Sequence, residues 1–201
     1  MLTQLDGDVL TLLTQAEEQG DRPSKDELVA LVAAALVGGT ETTVHLICFA
    51  MHNLLRSPAA LAEVRREPAR RERHRGDAPS RQLRQAGIPR YALEDVRFRG
   101  ARFRRGQRVM AVLRSALRDE AVYPRASAFD LRRGADTGIA FEGGAHYCMG
   151  VALARLEGRI AIETLLDRFP DMELAGPALF ASHPSFREMT SLPVRLRPLN
   201  G

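Results

Sequence analysis

Tryptophan is absent from this 201-residue chain, and phenylalanine and tyrosine bring the aromatic share to only 5%. A core must then be assembled mainly from leucine, valine and alanine, which the 45% apolar content permits for one domain or slightly more. Cysteine is nearly missing as well: Cys48 and Cys148 are too few for a disulfide framework and suit a reducing compartment. The opening "MLTQLDGDVL" has no basic segment leading into an apolar stretch, so it carries no signal-peptide pattern. Long hydrophobic runs are lacking too. The longest purely apolar run, residues 28–37, falls well short of the ~20 residues that span a bilayer. These absences together read as a soluble, cytoplasmic protein with no membrane partner.

Lysine is scarce, with Lys25 alone among 29 basic residues, yet the chain carries a net charge of +4. Its location decides what that charge means. Residues 69–89 hold six arginines against Glu72 and Asp77, a net +4 that equals the whole chain's, so everything else balances to zero. No aromatic residues interleave these arginines for base stacking, and no nucleic-acid-binding motif accompanies them. The basicity is a local anomaly, and nucleic acid is not an expected partner.

Patterning divides the chain into a helix-rich protein with small β-elements and no repeats. A first helix is expected from about Leu2 to Glu18. Ser24 and Glu27 have the spacing of a capping box, which announces a long helix from Lys25 to about Arg56. Ser57 and Pro58 offer a new N-cap and a proline at the first helical position, opening a helix through about Arg66. Alternation around Val96 and Phe98, a turn at Gly100 and resumption at Phe103 predict a hairpin. "VMAVLRSALRD" (109–119) reads as a helix and "YPRASAFDLRR" (123–133) as an extended loop. Helical spacing over "VALARLEGRIAIETLLDRF" ends before Pro170, and "SLPVRLRP" fits a short terminal strand.

The densest chemistry lies in "FEGGAHYCMG", residues 141–150, where Cys148 stands among Gly143, Gly144 and Gly150. Glycine is used where backbone turns sharply or approaches something closely. A lone cysteine is most often a buried, inert packing residue. Zinc is a weaker reading, because His146 and Cys148 have no second ligand pair at suitable spacing. A glycine-shaped loop ending at a helix start favours thiolate, and a thiolate on a flat loop is how an axial ligand is presented to haem iron.

Phe141, Gly144, His146, Cys148 and Gly150 fit the F-x-x-G-x-H-x-C-x-G signature of bacterial cytochrome P450 monooxygenases, which this stretch resembles. The resemblance implies that Cys148 is the proximal iron ligand, with Phe141 packed near it and His146 approaching a haem propionate. Gly150 would let the following helix pass close to the porphyrin. Glu142 departs from the family's usual glycine and is expected to face solvent. "GGTETT", residues 38–43, resembles the family's A-G-x-[DE]-T motif on the oxygen-binding helix, with Gly38 in place of alanine. Two glycines inside a helix cost about 1 kcal/mol each against alanine. Gly38 and Gly39 would earn their place by letting a flat cofactor and O2 lie against the helix. By the family's chemistry Thr42 is the hydroxyl nearest O2, and Glu41 helps feed protons. Arg90 matches the position that commonly pairs with a haem propionate.

The likeness covers residues 1–68 and 90–201, and it implies the C-terminal portion of the cytochrome P450 fold, mainly α with small β-sheets. The chain begins just before the oxygen-binding helix, so the family's N-terminal half is expected to be absent. Also missing is the E-x-x-R motif expected within 69–89. Codons exist for "PARRERHRGDAP" that, read one base later, give P-L-V-E-N-A-I-E-E-M-L-R, so a shifted reading frame is expected there. Irregular structure is predicted across 69–89, with no stable haem incorporation by the chain alone. The lineage implied is a haem b monooxygenase acting on a small organic substrate. Its electrons would come from NAD(P)H through a ferredoxin or flavin reductase. The competing reading is an inactive remnant.

Overall fold

The computed structural model describes residues 24–66, 87–131, 139–182 and 187–197. The expected helix over 2–18 and most of the arginine-rich stretch, 69–86, lie outside the described residues. The chain divides into two units, residues 1–42 and 43–201, each taken by itself below.

Helix α1, Lys25–Leu55, begins where the sequence places it. Ser24 N–H donates to Glu27 Oε2 at 2.7 Å, and Glu27 N–H donates to Ser24 Oγ at 3.3 Å. Two amides with no partner inside the helix are thereby satisfied reciprocally. The Ser24 N–H bond, with a second from Ser24 Oγ to Glu27 Oε2 at 2.9 Å, holds the Glu27 carboxyl below its usual range. By length and composition α1 could cross a membrane, which the ten-residue apolar run did not foretell. Its segment in the first unit is exposed almost throughout, whereas the segment from Thr43 onward buries Thr43, His45, Phe49, Ala50, Met51, His52 and Leu54.

Helix α2 runs over Pro58–Arg66, and the Ser57 carbonyl accepts its first intrahelical bond from Leu61 N–H at 2.9 Å. In the second unit these helices meet α4, Val151–Arg168. The shared core joins Met51 and Leu54 of α1, Leu61 and Val64 of α2, and Ile162 and Leu166 of α4, with Leu131 and Met172 beside them. Gly158 lets the α4 backbone pass the end of the Leu46 side chain; a Cβ there would lie 2.7 Å from Leu46 Cδ2.

Among the described residues, the second unit also holds four two-stranded antiparallel sheets. Strands β1 (Ile88–Tyr91) and β4 (Arg108–Ala111) pair, as do β2 (Val96–Phe98) and β3 (Ala101–Phe103). The β2–β3 hairpin appears as the alternation predicts. Its two-residue turn places Arg99 at φ 48° and Gly100 at φ 83°, the left-handed pair whose twist matches the flanking strands. Asp95 braces the base of the hairpin, accepting from Arg105 N–H and from Arg102 Nη2, both at 2.9 Å. The Arg105 amide, then Arg102, holds its carboxyl below the usual range.

Two sequence expectations change and a third is extended. The helix read over 109–119 is cut short: Val109, Met110 and Ala111 belong to β4, and α3 is only Leu113–Ala116. A Val-Met-Ala-Val run suits either state, and the distant partner β1 settles it. Ile88 and Pro89, within the stretch 69–89 expected to be irregular, lie in β1. Finally, "SLPVRLRP" holds its expected terminal strand as β8 (Val194–Arg197), and its first residue, Ser191, also ends a second strand. Strand β7 (Met189–Ser191) pairs with β6 (Leu179–Phe180), and β8 pairs with β5 (Asp171–Leu174). Pro193, which has no amide hydrogen to donate, falls between them.

His52 supplies a pH test of this core. It is buried, Nδ1 finds no hydrogen-bond partner, and the Phe180 ring stands edge-on 6.3 Å away. Burial, then the charges of Arg56 and Arg187, pushes its pKa below 6.5. The unfolded chain therefore binds more protons than the folded one between that lowered value and 6.5, and stability rises with pH across this window. Stability should be full above the unfolded pKa and fall as the solution is acidified through the window. Denaturation midpoints at pH 5 and 7.5 should differ less in His52→Gln than in wild type; an equal difference would show that His52 is not the titrating group.

Candidate functional site

The cysteine loop is a sequence of closures. Glu142 N–H donates to the Ile139 carbonyl at 3.0 Å, and a 3-10 turn follows over Gly144–His146. Tyr147 N–H reaches the Gly144 carbonyl at 3.1 Å, and Cys148 N–H returns to the Phe141 carbonyl at 3.0 Å. That last bond places Phe141 and Cys148 across the neck of the loop. Cys148 is a free, half-buried thiol. Gly150 caps α4 with φ −83°, and Val151 N–H donates to the Cys148 carbonyl at 3.4 Å. The helix start is thus where the sequence puts it, but this amide serves the cysteine's carbonyl rather than its sulfur.

Two residues of the loop are left-handed, Gly144 at φ 60° and Glu142 at φ 61°. For a residue with a Cβ this conformation costs about 1–2 kcal/mol, which gives a physical reason for glycine in the position Glu142 occupies. Glu142 does not simply face water as expected. Arg90, on β1, donates from Nη2 to Glu142 Oε2 at 3.0 Å and from Nη1 to the Pro89 carbonyl at 3.0 Å. Arg155, one turn into α4, sets its guanidinium 5.4 Å from the centre of the Phe141 ring. Sequence reasoning missed both contacts; the glycine-to-glutamate departure was the signal for the first.

The remaining candidates lie together in the first unit. Gly38, Gly39, Glu41 and Thr42 lie within little more than one turn of α1 and are exposed. Among the described residues, a Cβ on either glycine would meet nothing within 4 Å. Thr42 Oγ1 donates to the Gly38 carbonyl, and Thr40 Oγ1 donates to the Leu36 carbonyl at 2.7 Å. A hydroxyl committed this way to the preceding turn keeps its lone pairs available to accept. Cys48 lies further along the helix, half-buried, with its thiol pKa raised by burial.

The residues present fit a group held by a single protein thiolate. Among the described residues no three of His, Cys, Asp and Glu converge as a metal cage. Cys148 instead stands alone on a loop where a Cβ on Gly143, Gly144 or Gly150 would meet nothing within 4 Å. A flat cofactor needs that kind of bare surface beside its ligand.

The cytochrome P450 family model matches residues 3–86 and 81–174, and the chain belongs to that family. It is 45% identical over 196 residues to the epothilone C/D epoxidase of Sorangium cellulosum, covering 96% of this chain and 46% of that protein. Cytochrome P450 107B1 of Saccharopolyspora erythraea is 40% identical over 178 residues, covering 86% of this chain and 43% of the relative. The fold matches epothilone D-bound cytochrome P450epoK with a TM-score of 0.90 at 44% identity, over 98% of this chain and 49% of that one. The chain spans about half the length of the curated relatives it matches, and its fold is a partial cytochrome P450 fold.

Proposed function

We propose that residues 1–201 form one partial cytochrome P450 domain carrying the haem-thiolate part of a monooxygenase that inserts one atom of O2 into a small organic substrate. The observation that carries this reading is the Cys148 loop: one free thiol, a bare glycine surface and a backbone bond to Phe141 in one closed turn. When bound, haem supplies the oxygen-activating chemistry, and a thiolate ligand donates electron density to it. The chain's part is positional. Cys148 would supply the thiolate ligand, and His146, at the end of the 3-10 turn, would approach a propionate. Gly150 would let the α4 backbone pass close to a bound ring, and Arg90, which pairs with Glu142, would turn its guanidinium to a propionate only by sharing or releasing that pair. On α1, Gly38 and Gly39 would leave room, Thr42 would accept a hydrogen bond at its remaining lone pairs, and Glu41 would help feed protons. Electrons come from NAD(P)H through a ferredoxin or flavin reductase in the cytoplasm.

A carbon-monoxide spectrum of the reduced, haem-supplemented chain tests the reading. A red-shifted thiolate-type band supports it. Absence of haem binding favours the second reading, an inactive remnant. One observation supports that alternative: the family match is broken into two pieces that overlap only at 81–86, inside the arginine-rich stretch where E-x-x-R was expected. A shifted frame there would remove the helix that anchors the ligand loop.

Thr42 gives a sharper test once reductant and substrate are supplied. Thr42→Ala should leave haem content nearly unchanged and divert reducing equivalents into peroxide, by about tenfold in the product-to-peroxide ratio if the hydroxyl contributes on the scale of one hydrogen bond to a charged group, about 1.5 kcal/mol. An unchanged ratio would remove Thr42 from proton delivery.

A further inference from the structure

We infer that Arg90 and Glu142 form a tether that fixes the cysteine loop to the β1–β4 sheet, with Glu142 acting as a positioning residue for Cys148. The pair joins segments 52 residues apart through one 3.0 Å charge-assisted bond. It grips the loop at a sensitive place. Glu142 is adjacent to Phe141, whose carbonyl receives the Cys148 amide, so any displacement of residue 142 is passed directly to the cysteine backbone. Arg90 is itself held in place, because its Nη1 bonds the Pro89 carbonyl of the same strand.

Glu142 also sits in the left-handed region at φ 61°, where an ordinary side chain adds strain. Its carboxylate, at 28% exposure, meets an Arg90 side chain at 45% exposure. Glutamate there strains the backbone and in exchange supplies an electrostatic hold that glycine lacks. The arrangement rests on the proposed function only in naming this loop as the ligand loop; the tether is a contact between two of the chain's own side chains, and its test needs no haem.

The test measures the labelling rate of Cys148 by a small thiol reagent in the full haem-free chain, in a Cys48→Ser background so that one thiol reports. Partly exposed ion pairs are worth little to moderate amounts, so Glu142→Gln and Arg90→Gln should each speed labelling about two- to fivefold. The double variant should be no faster than either single one. The charge swap, Arg90→Glu with Glu142→Arg, should recover most of the wild-type rate. Salt at 1 M should speed wild type toward the variants and leave the variants unchanged. Glu142→Gly separates strain from charge, because its thermal midpoint should rise while its labelling also speeds. Rates in both single variants equal to wild type would overturn the tether, as would single effects that multiply in the double. A charge swap no slower than the single variants would also overturn it. Thermal midpoints measured on each variant establish that a faster rate comes from a folded chain.

Discussion

Cys148→Ser is expected to abolish the red-shifted carbon-monoxide band of the reduced, haem-loaded chain, whereas Cys48→Ser keeps it. The two thiols differ in kind. Cys148 stands at the end of a closed loop whose glycines leave a bare surface beside it. Cys48 lies within helix α1, and burial raises its pKa, which lowers its thiolate fraction at neutral pH. Serine preserves the shape of the loop but offers a hydroxyl that does not ionise at neutral pH, so the electronic contribution of sulfur disappears entirely. A thiolate-type band that survives in Cys148→Ser would remove Cys148 as the ligand. Loss of the band in Cys48→Ser with normal haem content would transfer the assignment to the helix.

The largest effect on stability is expected from Leu54→Ala. Leu54 is completely buried where α1 meets the other helices of the core, beside Val64, which is also completely buried. Truncation removes buried methyl groups and leaves a cavity between elements that cannot fully close, a loss of about 2–5 kcal/mol. Urea unfolding should show a lower midpoint with an unchanged slope. A loss below about 1 kcal/mol would mean that the site collapses freely and that the helices are not packed as described.

Much of this arrangement was legible in the sequence because its signals are local. The Ser24–Glu27 box, the Ser57–Pro58 start and the Arg99–Gly100 turn each need only a few neighbouring residues to operate. The sequence was less informative where the deciding partner is distant. Val109 and Met110 could have been helical, and pairing with Arg90 and Pro89 makes them strand. The strands around Pro193 choose different partners, which no local pattern reveals. At the site, motif spacing placed Cys148 on its loop and Thr42 on its helix. It could not show that Arg90 reaches Glu142, because the motif is silent about residue 142 and the two segments meet only in space.

The order of strands carries a kinetic consequence. Strands β2 and β3 lie between β1 and β4 in the chain, and β6 and β7 lie between β5 and β8, so each set is nested. Unaided, joining Tyr91 to Arg108 means closing a 16-residue loop. Once the inner β2–β3 hairpin has formed, about half of that loop is already ordered, and each halving of loop length saves roughly 0.6 kcal/mol of closure entropy. The inner hairpin therefore acts as a zipper's first tooth, and the strand that carries Arg90 is recruited after it.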